Sequence, residues 1–166
     1  KEICDTDWKD LTIERLPEIP DFTLLVGWTG QVAITDSLIQ ATEKKRRVET
    51  DSAFYKEFLK KSHAIVQGLQ SAWNKQNIPA LQEGIRANRA LLNEFAREMQ
   101  LEIETPALQT LCDLAEQVGA CAKTSGAGGG DCGICFTKNE TERKQIEKQW
   151  AKAQIQVLPL TIAEAW

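Results

Sequence analysis

The feature that most constrains the fold is a glycine-rich stretch between two short apolar runs. Residues 123–133 read KTSGAGGGDCG and contain five of the ten glycines in the chain. Flexible spacers are also rich in glycine, but their neighbours are polar and repetitive. Here ACA precedes and CGICF follows, and short apolar runs of this kind form buried strands. The pattern predicts a turn between two strands, where glycine allows positive φ or close approach to a ligand.

The segments before this turn predict one strand and three helices. DFTLLVGW, residues 21–28, follows two prolines and concentrates apolar residues, which is typical of a buried strand. The first helix lies within residues 51–76 and has a stripe of large apolar residues: Phe54, Phe58, Ile65, Leu69 and Trp73. The second begins near Pro79 and has another stripe: Leu81, Ile85, Leu92, Phe95 and Met99. The third begins with Thr105 as N-cap and Pro106 in the first turn, and ends near Gly119.

The segments after the turn complete the order of elements. Ile146, Trp150 and Ala153 recur at helical spacing among charged residues, which predicts an amphipathic surface helix. IQVLPL, residues 155–160, is a further predicted strand. The order is strand, helices, strand, turn, strand, helix and strand. It predicts an α+β fold of the ferredoxin-like split βαβ type, with an antiparallel sheet and extra helices in the first crossover. LTIERL, residues 11–16, also has strand character, but its pairing is left open.

Composition limits the classes of function that this chain can have. With 166 residues and 42% hydrophobic residues, one domain is the expectation. The net charge of −4 gives no electrostatic reason to expect nucleic acid as a partner. The basic run EKKRR, residues 43–47, is interpreted as a solvated helix end. We expect no membrane partner, because no apolar run reaches the length of a span and the first residues lack a signal-peptide core. Five cysteines, an odd number, favour a reducing compartment and a cytoplasmic location.

The glycine turn admits two interpretations from spacing alone. Gly128, Gly130 and Gly133 satisfy G-x-G-x-x-G, but a strand follows where a dinucleotide fold needs a helix, and a Walker A motif is absent. The remaining binding hypothesis is an anion nest of backbone N–H groups, with the hydroxyls of Thr124 and Ser125 as further donors. A purely structural hairpin is the alternative, and both stay open.

Charged and sulfur-containing side chains around the turn each have competing roles. Asp131 is unfavourable beside a phosphate, so we expect an Asx-type turn or a metal contact. Lys123 either neutralises phosphate or is an outward strand residue. Cys132 and Cys135 lie three apart on a strand and point to opposite faces, which makes a shared metal or disulfide improbable and favours core thiols. His63, the one histidine, is expected at a surface or half-buried position.

Three polar residues interrupt the apolar stripe of the second helix. Arg86, Asn88 and Arg89 lie on or beside that stripe, where unpaired polar groups would be costly. One hypothesis is that this face looks into an active cleft and that Arg86 or Arg89 binds a substrate phosphate. The other is that they pair with a partner across a domain interface.

Several motifs resemble those of one enzyme family. AKTSGAGGGDCGI, residues 122–134, closely resembles the third signature motif of the GHMP kinases, which include galactokinases, homoserine kinases and mevalonate kinases. Three further segments resemble the carboxy-terminal half of the bacterial phosphomevalonate kinases in order and spacing: LLVGWTGQVAITDSLI, IRANRALL and IETPALQTLCDLAE. Asp131, where many members of the superfamily have glycine, is similar to the phosphomevalonate kinase version of the motif.

The resemblance implies an activity and a set of binding residues. It implies transfer of the γ-phosphoryl group of ATP to 5-phosphomevalonate, with Mg²⁺ spreading the developing charge. By the motif match, Ser125, Gly126 and Ala127 approach the substrate, whereas Gly128, Gly129 and Gly130 support the nucleotide-phosphate loop. Thr29, Gly30 and Thr35 would lie near the cleft, although a plain strand-to-helix loop explains them equally well.

The resemblance also has one departure. The main phosphate-binding motif of the family, P-x-x-x-G-L-[GS]-S-S, does not occur in this chain. We therefore expect residues 21–166 to be the C-terminal domain of a kinase and residues 1–20 to be a connecting segment from an N-terminal kinase domain that is its missing partner. Alone, the chain is expected to be inactive. The alternatives are another small-molecule kinase of the superfamily, of the mevalonate or homoserine kinase type, and a non-catalytic ligand-binding module.

Overall fold

Four strands and four helices make up the part of the chain that the structure describes. The structure is a computed structural model that describes residues 16–20, 22–31, 52–126 and 128–160. In chain order the elements are β1 (Thr23–Trp28), α1 (Ala53–Asn74), α2 (Ile78–Glu98), α3 (Pro106–Gln117), β2 (Cys121–Thr124), β3 (Cys132–Thr137), α4 (Glu140–Lys152) and β4 (Gln156–Val157). Most of LTIERL, the basic run at residues 43–47 and Thr35 lie outside the described residues.

The four strands form one antiparallel sheet in the order β2-β3-β1-β4. β3 therefore lies between β1 and β2, which the helices α1, α2 and α3 connect. Thr23 of β1 pairs with Thr137 of β3, and Trp28 pairs with Cys132. This is the split βαβ arrangement, and it confirms the α+β, ferredoxin-like prediction.

One face of the sheet packs very closely against α3 and α4. Gly27 and Gly133 are paired in the register of β1 and β3. A Cβ atom on Gly27 would lie 2.7 Å from Cζ3 of Trp150, and one on Gly133 would lie 2.6 Å from Cδ2 of Leu111. These two glycines let the helices approach the backbone of the central strands.

The main core lies between this face and the two helices. Its buried members come from all of these elements: Leu25, Leu111, Cys112, Ala115, Ala120, Ala122, Cys135, Ile146, Trp150 and Ile155. The indole N–H of Trp150 donates to the carbonyl of Leu111 at 3.0 Å, so this large side chain is fully buried without an unpaired donor. The prediction that Ile146 and Trp150 form the inner face of an amphipathic helix is confirmed.

A second core joins the α1–α2 hairpin to the start of β1. The predicted stripe of α1 is half-buried, and Trp73 and Leu69 pack on a cluster that contains Phe22, Ala72 and Leu81. On α2, Leu81, Ile85, Phe95 and Met99 are buried as predicted. Leu92 is only half-buried, however, whereas Leu91, outside the predicted stripe, is 6% exposed. The single-stripe prediction fails there because α2 contacts both α1 and β2.

The helix ends follow their sequence signals. Thr105 is the N-cap of α3 and its side chain accepts from the Leu108 N–H, and Pro106 occupies the first turn. Gly119, with φ of 88°, follows the C-cap Val118. β4 is shorter than predicted, because Pro159 has no N–H to donate and the Leu160 N–H instead bonds the carbonyl of Leu158. No helix in the described ranges is long and apolar enough to cross a membrane.

Candidate functional site at the glycine loop

The segment between β2 and β3, residues 125–131, is called the glycine loop below. Gly126, Gly128, Gly129 and Gly130 have φ of 68°, 78°, 79° and 128°, and Asp131 follows with φ of 61°. Most residues avoid positive φ, so glycine at four of these five positions permits the conformation, and Asp131 is the non-glycine residue that adopts it. The turn predicted between two strands is therefore confirmed.

The carbonyl of Ile103, in the connection between α2 and α3, contacts the loop and holds part of it in place. The Gly129 N–H donates to this oxygen at 2.8 Å. A Cβ atom on Gly128 would lie 2.3 Å from the same oxygen, whereas one on Gly126 would meet open space. Glycine at 128 is thus required by close approach of another backbone, and glycine at 126 by its φ alone.

The end of β1 fixes the loop from the side. The backbone N–H and the hydroxyl of Thr29 both donate to the carbonyl of Asp131 at 2.9 Å. The Asp131 N–H donates to the carbonyl of Gln31 at 2.8 Å. At the base of the loop, the Ser125 N–H donates to the carbonyl of Cys132 at 2.9 Å. The loop is therefore held in one position, and Thr29 and Gly30 lie beside it.

Backbone donors remain on the loop after these bonds are counted. The N–H groups of Gly126, Gly128 and Gly130 make no hydrogen bond to another residue within the described ranges. An anion nest needs successive free N–H groups, and the Gly129 N–H, between two of these donors, is already bonded to the Ile103 carbonyl. The loop therefore offers separate N–H donors, rather than a complete nest, to a negatively charged group such as a phosphate.

The predicted hydroxyl and ammonium donors lie at the base of the loop. Thr124 is 2% exposed at the end of β2, and Ser125 is half-buried. Lys123 is half-buried, and its ammonium donates to the carbonyl of Thr124 at 2.8 Å. Burial lowers the pKa of Lys123, because the charged form loses hydration. An anion bound nearby would offset that loss.

Asp131 presents a carboxylate at the exit of the loop. The residue is exposed, and the thiol of Cys132 lies 3.7 Å from its Oδ1. Within the described ranges, no group of three or more His, Cys, Asp or Glu residues could hold a metal ion. Asp131 is the single carboxylate that the glycine loop could offer to a metal ion.

The partly exposed side chain of Arg86 reaches the junction of α3 and β2. Its Nε donates to Oε2 of Glu116 at 2.7 Å and its Nη2 to the carbonyl of Ala120 at 3.0 Å. Burial opposes the charge of the guanidinium, but the hydrogen bond and the charge of Glu116 outweigh it and raise the pKa of Arg86. Arg86 thus joins α2 to the residue just before β2.

Arg89 makes the most extensive ion pair among the described residues. Its Nε and Nη2 donate to the two carboxylate oxygens of Glu104 at 2.9 and 2.6 Å, and Nη2 also donates to Asp113 at 2.8 Å. Asn93 donates to the same Glu104 at 3.0 Å. The hydrogen bond to Glu104 raises the pKa of Arg89. Asn88, on the same helix, is half-buried.

The carboxylate partners of the two arginines were not among the sequence-based candidates. Glu104 and Glu116 lie 15 and 30 residues away from the arginines that they bind. The signal that could have found them is that Glu104 lies just before α3, the helix that follows α2, and Glu116 lies in its last turn. The arginines are therefore paired within this domain, an arrangement that neither sequence hypothesis included.

The thiols and the histidine occupy positions that fit the sequence predictions. Cys132 is half-buried and Cys135 is fully buried. They lie on opposite faces of β3, and neither forms a disulfide. Burial raises the pKa of Cys112 and Cys121 to about 12, which leaves these thiols protonated and unreactive. His63 is exposed on α1, as predicted.

Comparison with known proteins identifies the family. The family described as GHMP kinases C terminal matches residues 69–156, which is more than half of the chain. This chain belongs to the GHMP kinase family. The glycine loop and all of α2, α3 and α4 lie inside the matched range of this GHMP kinase domain.

Comparison with individual proteins gives a more specific likeness than the family match does. This GHMP kinase domain is 39% identical over 158 residues to phosphomevalonate kinase from Streptomyces sp. (strain CL190), covering 94% of this chain and 42% of that protein. A Lin0012 protein from Listeria innocua has 35% identity and a TM-score of 0.83, over 89% of this chain and 41% of that one. Streptococcus pneumoniae phosphomevalonate kinase in complex with phosphomevalonate and AMPPNP has 30% identity and a TM-score of 0.69, over 81% and 37%.

These figures also measure how much of a GHMP kinase the chain represents. It spans about two fifths of the length of the relatives that it matches. The predictions of the family and of the C-terminal domain fold are confirmed.

Proposed function

We propose that this domain is the C-terminal portion of a phosphomevalonate kinase, which transfers the γ-phosphoryl group of ATP to 5-phosphomevalonate and forms 5-diphosphomevalonate. The observation that carries the proposal is the glycine loop, a fixed turn with free backbone N–H groups that suit phosphate oxygens. The 39% identity to the Streptomyces enzyme supports phosphomevalonate as the acceptor. The complex of the Streptococcus pneumoniae enzyme with AMPPNP supports ATP as the donor.

Phosphoryl transfer between two phosphates needs positioning and charge neutralisation more than covalent help from the protein. In the proposed site, Ser125 and Gly126 approach the acceptor phosphate through a hydroxyl and a backbone N–H group. The motif match adds Ala127, which lies outside the described residues. Gly128, Gly129 and Gly130 support the loop that holds the nucleotide phosphates. Each hydrogen bond to a charged oxygen contributes about 1.5 to 3 kcal/mol, so a few such bonds suffice to orient the acceptor.

The two arginines of α2 differ as candidates for a substrate phosphate. The side chain of Arg86 is 35% exposed and that of Arg89 is 17% exposed. Two carboxylates already hold Arg89, which leaves Arg86 as the candidate, although its guanidinium lies beside Ala120, at the end of β2 away from the glycine loop. Asn88 lies between the two arginines. If Arg86 binds the acceptor, Arg86→Gln will raise KM for phosphomevalonate by about tenfold. Mg²⁺ would supply charge neutralisation when bound, and we assign no ligand for it within the described residues.

The activity is tested by measuring ADP release with phosphomevalonate, mevalonate and homoserine. We expect turnover with phosphomevalonate by the complete protein that contains this domain, and none by the 166-residue chain alone. Turnover with mevalonate or homoserine instead would reassign the acceptor. No turnover by the complete protein with any of the three would refute the kinase proposal.

A matched pair of serine variants tests the role of the glycine loop in that activity. Ser125→Ala removes a hydroxyl at the base of the loop, and we expect kcat/KM to fall by about tenfold or more. Ser71→Ala makes the same change on an exposed position of α1 and should leave kcat/KM unchanged. Equal effects of the two substitutions would remove Ser125 from the proposed site.

A further inference from the structure

The glycine loop depends on the position of one backbone carbonyl. The oxygen of Ile103 accepts the Gly129 N–H and lies where a Cβ of Gly128 would be. Any displacement of this oxygen either breaks the hydrogen bond or pushes on the loop. The geometry of the candidate site is therefore set partly by the connection between α2 and α3, residues 99–105.

The α2–α3 connection has an irregular backbone that needs external support. At its start, the Leu101 N–H donates to the carbonyl of Ala96 at 2.8 Å. At its end, Thr105 caps α3. Between these two points, Glu104 is the residue next to Ile103, and its side chain is only 7% exposed. What holds the Glu104 carboxylate therefore holds the Ile103 carbonyl.

Two residues of α2, one helical turn apart, hold that carboxylate. Arg89 donates two parallel hydrogen bonds to it, at 2.9 and 2.6 Å, and Asn93 donates a third at 3.0 Å. A bidentate guanidinium–carboxylate pair fixes direction as well as distance. The same Nη2 of Arg89 reaches Asp113 on α3 at 2.8 Å, so the guanidinium joins the connection to the helices on both sides of it.

We propose that Arg89 is a positioning residue of this site, which acts through Glu104 to hold the Ile103 carbonyl that supports the glycine loop. The consequence for catalysis rests on the proposed function, whereas the mechanical coupling does not. Arg89 does not touch substrate in this proposal. Replacement of Arg89 would leave Glu104 as a nearly buried charge without its cation, and the connection would then move to hydrate it.

The coupling is tested by hydrogen–deuterium exchange of the complete protein, in peptides that contain Gly129 and in peptides from α4. We expect Arg89→Gln and Glu104→Gln each to speed exchange at Gly129 by about tenfold, and the double variant to add nothing further. Exchange in α4 should not change. Arg143→Gln, which removes an arginine paired with Glu147 on the surface of α4, should leave Gly129 unaffected.

Several results of the exchange experiment would overturn the proposal, and each differs from the expected result. Unchanged exchange at Gly129 in both single variants would overturn the proposal, as would equal acceleration in every element, which would indicate loss of global stability. Arg89→Lys guards against a variant that fails to fold, because it keeps the charge and removes the bidentate geometry. We expect it to speed exchange at Gly129 by less than Arg89→Gln does; no acceleration in a folded Arg89→Lys protein would also overturn the proposal.

Kinetics separate positioning from direct phosphate binding. With the acceptor that the complete protein uses, we expect Arg89→Gln to lower kcat by about tenfold with KM changed by less than about twofold. A tenfold rise in KM with unchanged exchange at Gly129 would overturn the proposal in favour of direct contact with substrate. If the complete protein shows no kinase activity, the proposed function fails, and the exchange measurement still decides the role of Arg89.

Discussion

At the scale of single residues, the glycines of the loop are not equivalent. Gly126 and Gly128 share a positive φ, but a Cβ is tolerated in space at the first position and collides with the Ile103 carbonyl at the second. Sequence alone gives both the same meaning. The partner of Gly128 is a backbone oxygen 25 positions earlier (128 − 103), and a carbonyl leaves no signal in the sequence.

This difference predicts two unequal stability losses. Gly126→Ala should cost about 1 to 2 kcal/mol, the ordinary penalty of a left-handed conformation for a residue with a Cβ. Gly128→Ala should cost roughly 1 to 3 kcal/mol more, because the Ile103 backbone must also shift. Urea unfolding of the two variants measures both values. Equal losses would contradict the contact between Gly128 and Ile103.

Because of Lys123, the free energy of unfolding should depend on pH in the alkaline range. Burial lowers its pKa in the folded state below the value of about 10.4 in the unfolded chain. Below the folded-state pKa the destabilisation is fully present, and it disappears as pH rises through that pKa toward the unfolded value. We expect the free energy of unfolding to rise relative to Lys123→Met as the pH rises from neutrality to about 10. A constant difference across this range would show that the ammonium is not destabilised by burial.

The arginines show where residue-level prediction stopped. The apolar stripe of α2 indicated correctly that Arg86 and Arg89 need partners. The stripe could not identify Glu104 and Glu116 as the partners, because ion pairs between helices depend on how α2 packs beside α3. Spacing within one helix has no information on that contact. Tertiary pairing of charges was thus the missing part of the site.

At the scale of elements, helical periodicity and helix-end signals predicted the described helices, and short apolar runs predicted the described strands. Sequence patterns predicted the buried faces and the ends of these elements less reliably. Leu91 is buried where burial of Leu92 was expected, because α2 packs on two neighbouring elements. β4 proved shorter than residues 155–160, since pairing with β1 includes only Gly27 and Trp28. Helix caps were predicted best, because Thr105 and Gly119 act through their own local backbone.

The close packing of α3 on the sheet predicts a measurable coupling between two residues. Gly133→Ala should cost about 1 to 3 kcal/mol, since its Cβ would lie 2.6 Å from Leu111 Cδ2. Leu111→Ala alone should cost about 2 to 5 kcal/mol. In the double variant the new methyl group enters the space that Leu111 leaves, so the loss should be smaller than the sum. A double-mutant cycle by urea unfolding checks this, and strict additivity would refute the contact.

At the scale of the whole molecule, the domain represents about two fifths of its relatives. The fold could be predicted because the order of elements leaves few topologies once the turn is known. The composition of the candidate site could not be predicted, because tertiary contacts such as that of Arg89 with Glu104 leave no signal in the spacing of one segment.

Ligand stabilisation should therefore depend on the complete protein. We expect AMPPNP together with phosphomevalonate to raise its Tm by about 5 °C at ligand concentrations near one hundred times Kd. The chain alone should show no shift with the same ligands, and mevalonate in place of phosphomevalonate is the control. An equal shift in the chain alone would favour a self-sufficient ligand-binding module.

The strand order has a consequence for how the chain is made. β1 is synthesised before every other described element, yet it occupies an interior position and pairs only with β3 and β4, which are synthesised last. Thr29 and its partner Asp131 are 102 residues apart in sequence. During translation, the pairing of β1 with β3 therefore cannot be completed until Asp131, 102 residues after Thr29, has been synthesised. Strand pairings of such high sequence separation form slowly and leave strand edges open to aggregation before the sheet closes.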